Sequence, residues 1–91
     1  MFAVVVQEAG DAAQIDGSAR LVTANVAPRV REAPGFVSAV WRSDGAGRTL
    51  NVLVFRSEEA ARAAVEAART APRPPFLRVE SVDVFSVLAS A

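Results

Sequence analysis

Met1 to Glu8, Met-Phe-Ala-Val-Val-Val-Gln-Glu, is a short β-branched apolar run that stops before Gly10. Its length and composition predict a strand buried on both faces, at the centre of a sheet. From Ser18 to about Glu32 the period changes. Ala19, Val22, Val26 and Val30 recur at spacings of three and four, one stripe of a helix, with Asp16 or Ser18 as candidate cap. Pro28 interrupts that stripe. Proline lacks the backbone donor and its ring crowds the preceding turn, so a kink or break is expected near Val26, with a short second segment after it. Ala33-Pro34-Gly35 then ends the helix, and Phe36 to Arg42 and Arg48 to Phe55 read as two strands around Ser43-Asp44-Gly45-Ala46-Gly47, a hairpin. Ser57 is the expected N-cap of a second helix that runs to Arg69. Glu58 and Glu59 sit in its first turn, where the helix dipole favours negative charge. Ala61, Ala64, Val65 and Ala68 form a thin inner face that lets this helix approach a sheet closely. Pro72-Arg73-Pro74-Pro75 is a stiff turn, and Phe76 to Leu88 is the last strand.

The order is β-α-β-β-α-β over a single domain, residues 1–91. It predicts an α+β, ferredoxin-like fold: a four-stranded antiparallel sheet with both helices on one face. If the hairpin turns at Asp44 to Gly47, Trp41 faces Leu50, Ala39 faces Val52 and Val37 faces Val54, an apolar row. The opposite row collects Phe36, Ser38, Val40 and Arg42 against Thr49, Asn51, Leu53 and Phe55. Two helices cover only one face of such a sheet, so a second copy is expected on the Val37, Ala39, Trp41, Leu50, Val52, Val54 face, giving a homodimer. The two sheets would then pack face to face as a dimeric α/β barrel.

Composition narrows the chemistry. Ten acidic residues balance ten arginines and no basic run stands out, so the field that gathers nucleic acid is missing. No signal-peptide pattern and no run near the ~20 apolar residues of a membrane span is present, which places the expected protein in the cytoplasm, off the membrane. The chain has no Cys, His, Tyr or Lys. Disulfides, Schiff bases, imidazole catalysis and the usual Cys and His zinc sites are thereby removed; carboxylates could still hold magnesium or calcium, but the one adjacent acidic pair has a simpler explanation, so no metal is expected. Glu58 and Glu59, the adjacent acidic pair, are accounted for by the helix dipole. Gly45 and Gly47 serve a turn rather than a phosphate loop.

Asn51-Val52-Leu53-Val54-Phe55-Arg56-Ser57-Glu58-Glu59-Ala60, preceded by Ala33-Pro34-Gly35-Phe36-Val37, resembles the antibiotic biosynthesis monooxygenase-like families of the dimeric α/β-barrel superfamily, over most of the chain. The resemblance implies a pocket between sheet and helices in which an Asn and, four residues later, a Trp take part. Asn51 matches that Asn, and Phe55 stands where the Trp would be. It implies a cofactor-free reaction of a hydrophobic aromatic or polyketide-like molecule with dioxygen, Asn51 donating to the substrate anion and Phe36, Ser38, Val40, Leu53 and Phe55 walling the pocket. Ala61 occupies the place of a pocket Tyr found in some members, and the His of the haem-degrading members has no counterpart. Two other readings stand beside this one: a module that binds such a molecule without turning it over, and a structural dimer in which Asn51 is a buried amide satisfied within the fold and Trp41 anchors the interface.

Overall fold

The computed structural model describes residues 1–91. β1 is Phe2–Gly10, followed by α1 (Ala12–Asp16), α2 (Ala19–Leu21), a π-helical turn (Val22–Val26) and α3 (Ala27–Arg31). β2 (Phe36–Val40) and β3 (Arg48–Phe55) form the hairpin, and α4 (Glu58–Thr70) leads to β4 (Leu77–Ser86). The sheet is antiparallel throughout, in the order β2-β3-β1-β4, so the apolar first strand lies inside it as its composition predicts. This is the α+β, ferredoxin-like arrangement expected from the element order.

The core sits on one face. Val4, Val6, Phe55, Ala61 and Val82 form its centre, and Ala60, Ala64, Val65 and Ala68 of α4 pack against them. Ser57 caps α4: its hydroxyl accepts from the Ala60 N–H at 3.1 Å. Only small side chains line the inner stripe, so α4 lies close to the sheet and leaves no room beneath it.

The first helical segment behaves differently. Asp11, rather than Asp16 or Ser18, provides a side-chain cap, accepting from the Gln14 N–H at 3.0 Å. The break foreseen near Val26 is a π-helical turn that ends at Val26, two residues before Pro28, which lies in the first turn of α3. Without an N–H, proline cannot close the α-helical bond to Ala24, and the chain widens so that Ala27 N–H reaches Val22 C=O. No residue of α2, the π turn or α3 is buried, and Leu21 and Val26 are exposed. In this arm α2 and the π turn stand off the sheet, while α3 comes back to touch β2.

The register of β2 departs from the sequence expectation by one residue. Phe36 pairs with Phe55, but a bulge lies between Phe36 and Ser38, after which Ser38 pairs with Val54, Ala39 with Leu53 and Val40 with Val52. The same register continues through the Ser43↔Thr49 bridge. An extra residue in one strand flips every later side chain to the other face. Ala39 and Trp41 therefore turn to the helix side and Ser38 and Val40 to the open side, the reverse of the expected rows.

The end of β1 and the hairpin loop meet at the hairpin end of the sheet. Gly10 N–H donates to the Gly47 carbonyl at 2.9 Å. Gly47 has φ +92°, and a Cβ there would lie 2.6 Å from the Gly10 carbonyl oxygen. Gly47→Ala is expected to lower stability by about 1–3 kcal/mol from backbone strain alone, with the contact adding to it, read as a lower urea midpoint. Asp44 closes the turn by accepting from the Ala46 and Arg48 N–H groups at 2.7 and 3.1 Å. Those two bonds, the one from Ala46 first, hold its carboxyl below the ordinary carboxylate range.

Candidate functional site

Between the sheet and the raised arm lies an open cavity of about 490 Å³. Its ceiling is Ile15, Ser18, Ala19, Val22 and Thr23, and its floor comes from Glu8, Ala39, Trp41, Thr49 and Asn51 of the sheet. Asp16, Arg42 and Ser43 stand at the hairpin side, where the Ser43 hydroxyl donates to the Asp16 carboxylate. The volume is in the range of small-molecule sites. The cavity lies where α2 and the π turn stand off the strands, away from α4, which packs closely on them.

Asn51 is buried, and both ends of its amide are engaged. Its Oδ1 accepts from the Arg42 backbone N–H at 3.3 Å, and its Nδ2 donates to Glu8 Oε1 at 3.0 Å. The partners fix the amide orientation, since a backbone N–H needs an acceptor and a carboxylate needs a donor. One Nδ2 hydrogen remains for a ligand. Thr49 Oγ1 donates to the same Glu8 oxygen at 3.1 Å, and Arg73 Nε donates to Glu8 Oε2 at 2.7 Å. Glu8 and Arg73 are 10% and 17% exposed at the side chain, so the pair is shielded, unlike the exposed Arg62–Glu58 pair on α4. Arg73 also donates to the Ala68 and Ala71 carbonyls at the end of α4, which ties the turn after the helix to the cavity floor.

Several expected wall residues lie elsewhere. Asn51 lines the cavity, but Phe55 and Phe36 pack edge to face with ring centroids 6.2 Å apart, Phe55 in the core and Phe36 against it. Leu53 also packs on the core cluster. Ser38 is exposed on the open face and Val40 reaches the cavity only at the edge strand. Of the residues placed on the open face by the sequence, Val52 and Val54 lie there opposite Val5 and Ala3, and Leu50 opposite Gln7. Val37 sits in the bulge. Ala39 and Trp41 are cavity residues, because the bulge carries them across. Sequence reasoning missed Glu8 and Arg73 as a pair. The signal for Glu8 was a charge continuing the buried row of Val4 and Val6 at two-residue spacing, a position where an unpaired carboxylate is costly. No three His, Cys, Asp or Glu side chains come together.

No family model matches the sequence, and the search of curated proteins gives no match. Solved structures do match over the whole chain. One is a monooxygenase of Streptomyces coelicolor, ActVA-Orf6, in complex with nanaomycin D, 23% identical, TM-score 0.64, with 99% of this chain and 89% of that one covered. A second is a variant of MhuD with two manganese protoporphyrin IX molecules per active site, 20% identical, TM-score 0.71, with 100% and 98% covered. MhuD is a heme-degrader of Mycobacterium tuberculosis. A third, from Nitrosomonas europaea, is of unknown function, 15% identical, TM-score 0.66, with 99% and 91% covered. The chain is thus a ferredoxin-like α+β protein with a cavity on the helix side of its sheet. It shares that fold with the monooxygenase and the heme-degrader.

Proposed function

We propose that this protein takes up a hydrophobic aromatic or polyketide-like molecule in the cavity over Asn51 and oxidises it with dioxygen, without metal or flavin. The observation that carries the reading is the placement of Trp41 and an orientation-locked Asn51 in the wall of one cavity. Trp41 offers an aromatic face for a ring, and the free Nδ2 hydrogen of Asn51 is a donor for a substrate oxyanion. A deprotonated aromatic reacts with dioxygen itself, so the protein's part is to bind, orient and stabilise the anion. Conversion of a ring methylene to a carbonyl then consumes one dioxygen and releases one water. The bound nanaomycin D and porphyrin of the structural neighbours support a site for flat polycyclic molecules on this fold.

Dioxygen uptake over a panel of anthrone-like and polyhydroxylated aromatics tests the proposal. Uptake above the uncatalysed rate is expected, falling about 100-fold in Asn51→Ala, the scale of one lost oxyanion donor. A second reading, binding without turnover, is favoured by the two internal bonds that already hold Asn51. It predicts saturable binding with no uptake.

The open face of the sheet belongs to the same proposal. Ala3, Val5, Val52 and Val54 lie on it, with Val40, Leu50 and Phe85 exposed at 56%, 37% and 55%. Only 10 of 91 residues are buried in the single chain, which leaves this face as the apolar surface that a second copy would cover as a homodimer. Sedimentation is expected to give a dimer for the wild type and a monomer for Val52→Arg. A monomeric wild type would contradict the assembly.

A further inference from the structure

An aromatic becomes reactive toward dioxygen only after it has lost a proton, and the cavity holds few groups that accept one. Its ionisable side chains are Glu8, Asp16 and Arg42, and the chain has no His, Cys, Tyr or Lys. Arg42 donates only. Asp16 is exposed at the rim and already accepts from Ser43. Glu8 is buried, and its Oε1 faces the two cavity residues Asn51 and Thr49, while its Oε2 is held from behind by Arg73, which does not line the cavity. We propose that Glu8 Oε1 receives the hydroxyl proton of the substrate, and that the ligand class is therefore an aromatic carrying a free, un-ionised hydroxyl. This inference rests on the oxygenase reading above.

A carboxylate offers about four acceptor positions. Asn51 and Thr49 fill the two on Oε1 and Arg73 one of those on Oε2, so the substrate hydroxyl reaches Oε1 by displacing the Thr49 hydroxyl, a rotor that can turn aside. In the step, the substrate O–H bond breaks and its electron pair stays on the substrate oxygen, while a new O–H bond forms on Glu8. Nothing is oxidised or reduced. The charge that leaves Glu8 reappears on the substrate oxygen beside the Asn51 amide, and Arg73 stays cationic, so the site remains neutral overall. Dioxygen then takes electrons from the anion.

The experiment compares wild type and Glu8→Gln for dioxygen uptake on hydroxylated aromatics of graded hydroxyl acidity. Glu8→Gln is expected to slow the weakly acidic members by about 100-fold or more, the range of one general base, and to leave members already ionised in the buffer near the wild-type rate. An equal loss across the series overturns the assignment, because a merely structural role does not sense substrate acidity. Should Glu8→Gln fail to fold, wild-type binding of each free hydroxyl against its methyl ether decides: weaker ether binding is expected, and equal binding overturns the inference. If no compound supports uptake, the oxygenase reading fails by itself. The hydroxyl-against-ether comparison, which needs no turnover, still tests Glu8 as the group that receives the hydroxyl.

Discussion

Replacing Phe55 with alanine is expected to remove about 3–5 kcal/mol of stability, read as a fall in the urea midpoint with little change in slope. Phe55 is 1% exposed and is the largest fully buried side chain. It ends β3, pairs with Phe2 on one side and Phe36 on the other, and sits under Ala61 of α4. Truncation loses the transfer energy of the ring and leaves a hole that neighbouring strands cannot close, since both are held by ladder bonds. A domain of this size is stabilised by roughly 5–14 kcal/mol, so the loss is a large part of the whole. Phe55→Trp gives the complementary result. It restores the aromatic of the monooxygenase-like pattern, but in a close-packed core, and is expected to cost about 1–3 kcal/mol by overpacking.

The second large effect is at Arg73. Arg73→Ala is expected to cost about 3–5 kcal/mol, the scale for breaking a buried pair by removing one partner. The reason lies in what remains: Glu8 keeps its bonds from Asn51 and Thr49 but loses the cation that compensates its charge in a shielded place. The carbonyls of Ala68 and Ala71 lose their donor as well. Equilibrium denaturation of Arg73→Ala beside the double variant Arg73→Ala/Glu8→Leu separates the two contributions. The double variant is expected to recover part of the loss, because the stranded carboxylate is gone. If the single variant is as stable as wild type, the pair does not carry the shielded charge described here.

Much of this architecture is legible in the sequence. The β-branched first run, the Ser57-Glu58-Glu59 helix start and the proline-rich turn each carry a local physical signal, and strand order and α4 follow from them. The register of β2 is not legible. Phe36, Val37, Ala39, Val40 and Trp41 put apolar residues on both faces, so either register satisfies the pattern, and the loop of Ser43 to Gly47 is long enough to close both. The bulge at Val37 decides between them, and with it which face Trp41 takes. That one residue moved the only Trp from the expected dimer face into the cavity. The helix-side placement of Asn51 was legible because β3 is regular from Arg48 to Phe55. The Glu8–Arg73 pair was not, because its partners lie far apart in the chain and Arg73 sits in a turn whose composition speaks only of stiffness.

If Trp41 and Asn51 wall one ligand cavity, as proposed, Trp41 emission reports its occupancy directly, since no other Trp is present. Titration with a hydroxylated polycyclic aromatic is expected to quench that emission saturably, at one ligand per chain, and Ala39→Phe, which fills the floor beside Trp41, is expected to weaken the response strongly. Emission that does not change at saturating ligand, or that changes equally in Ala39→Phe, would contradict the placement of the functional site in this cavity.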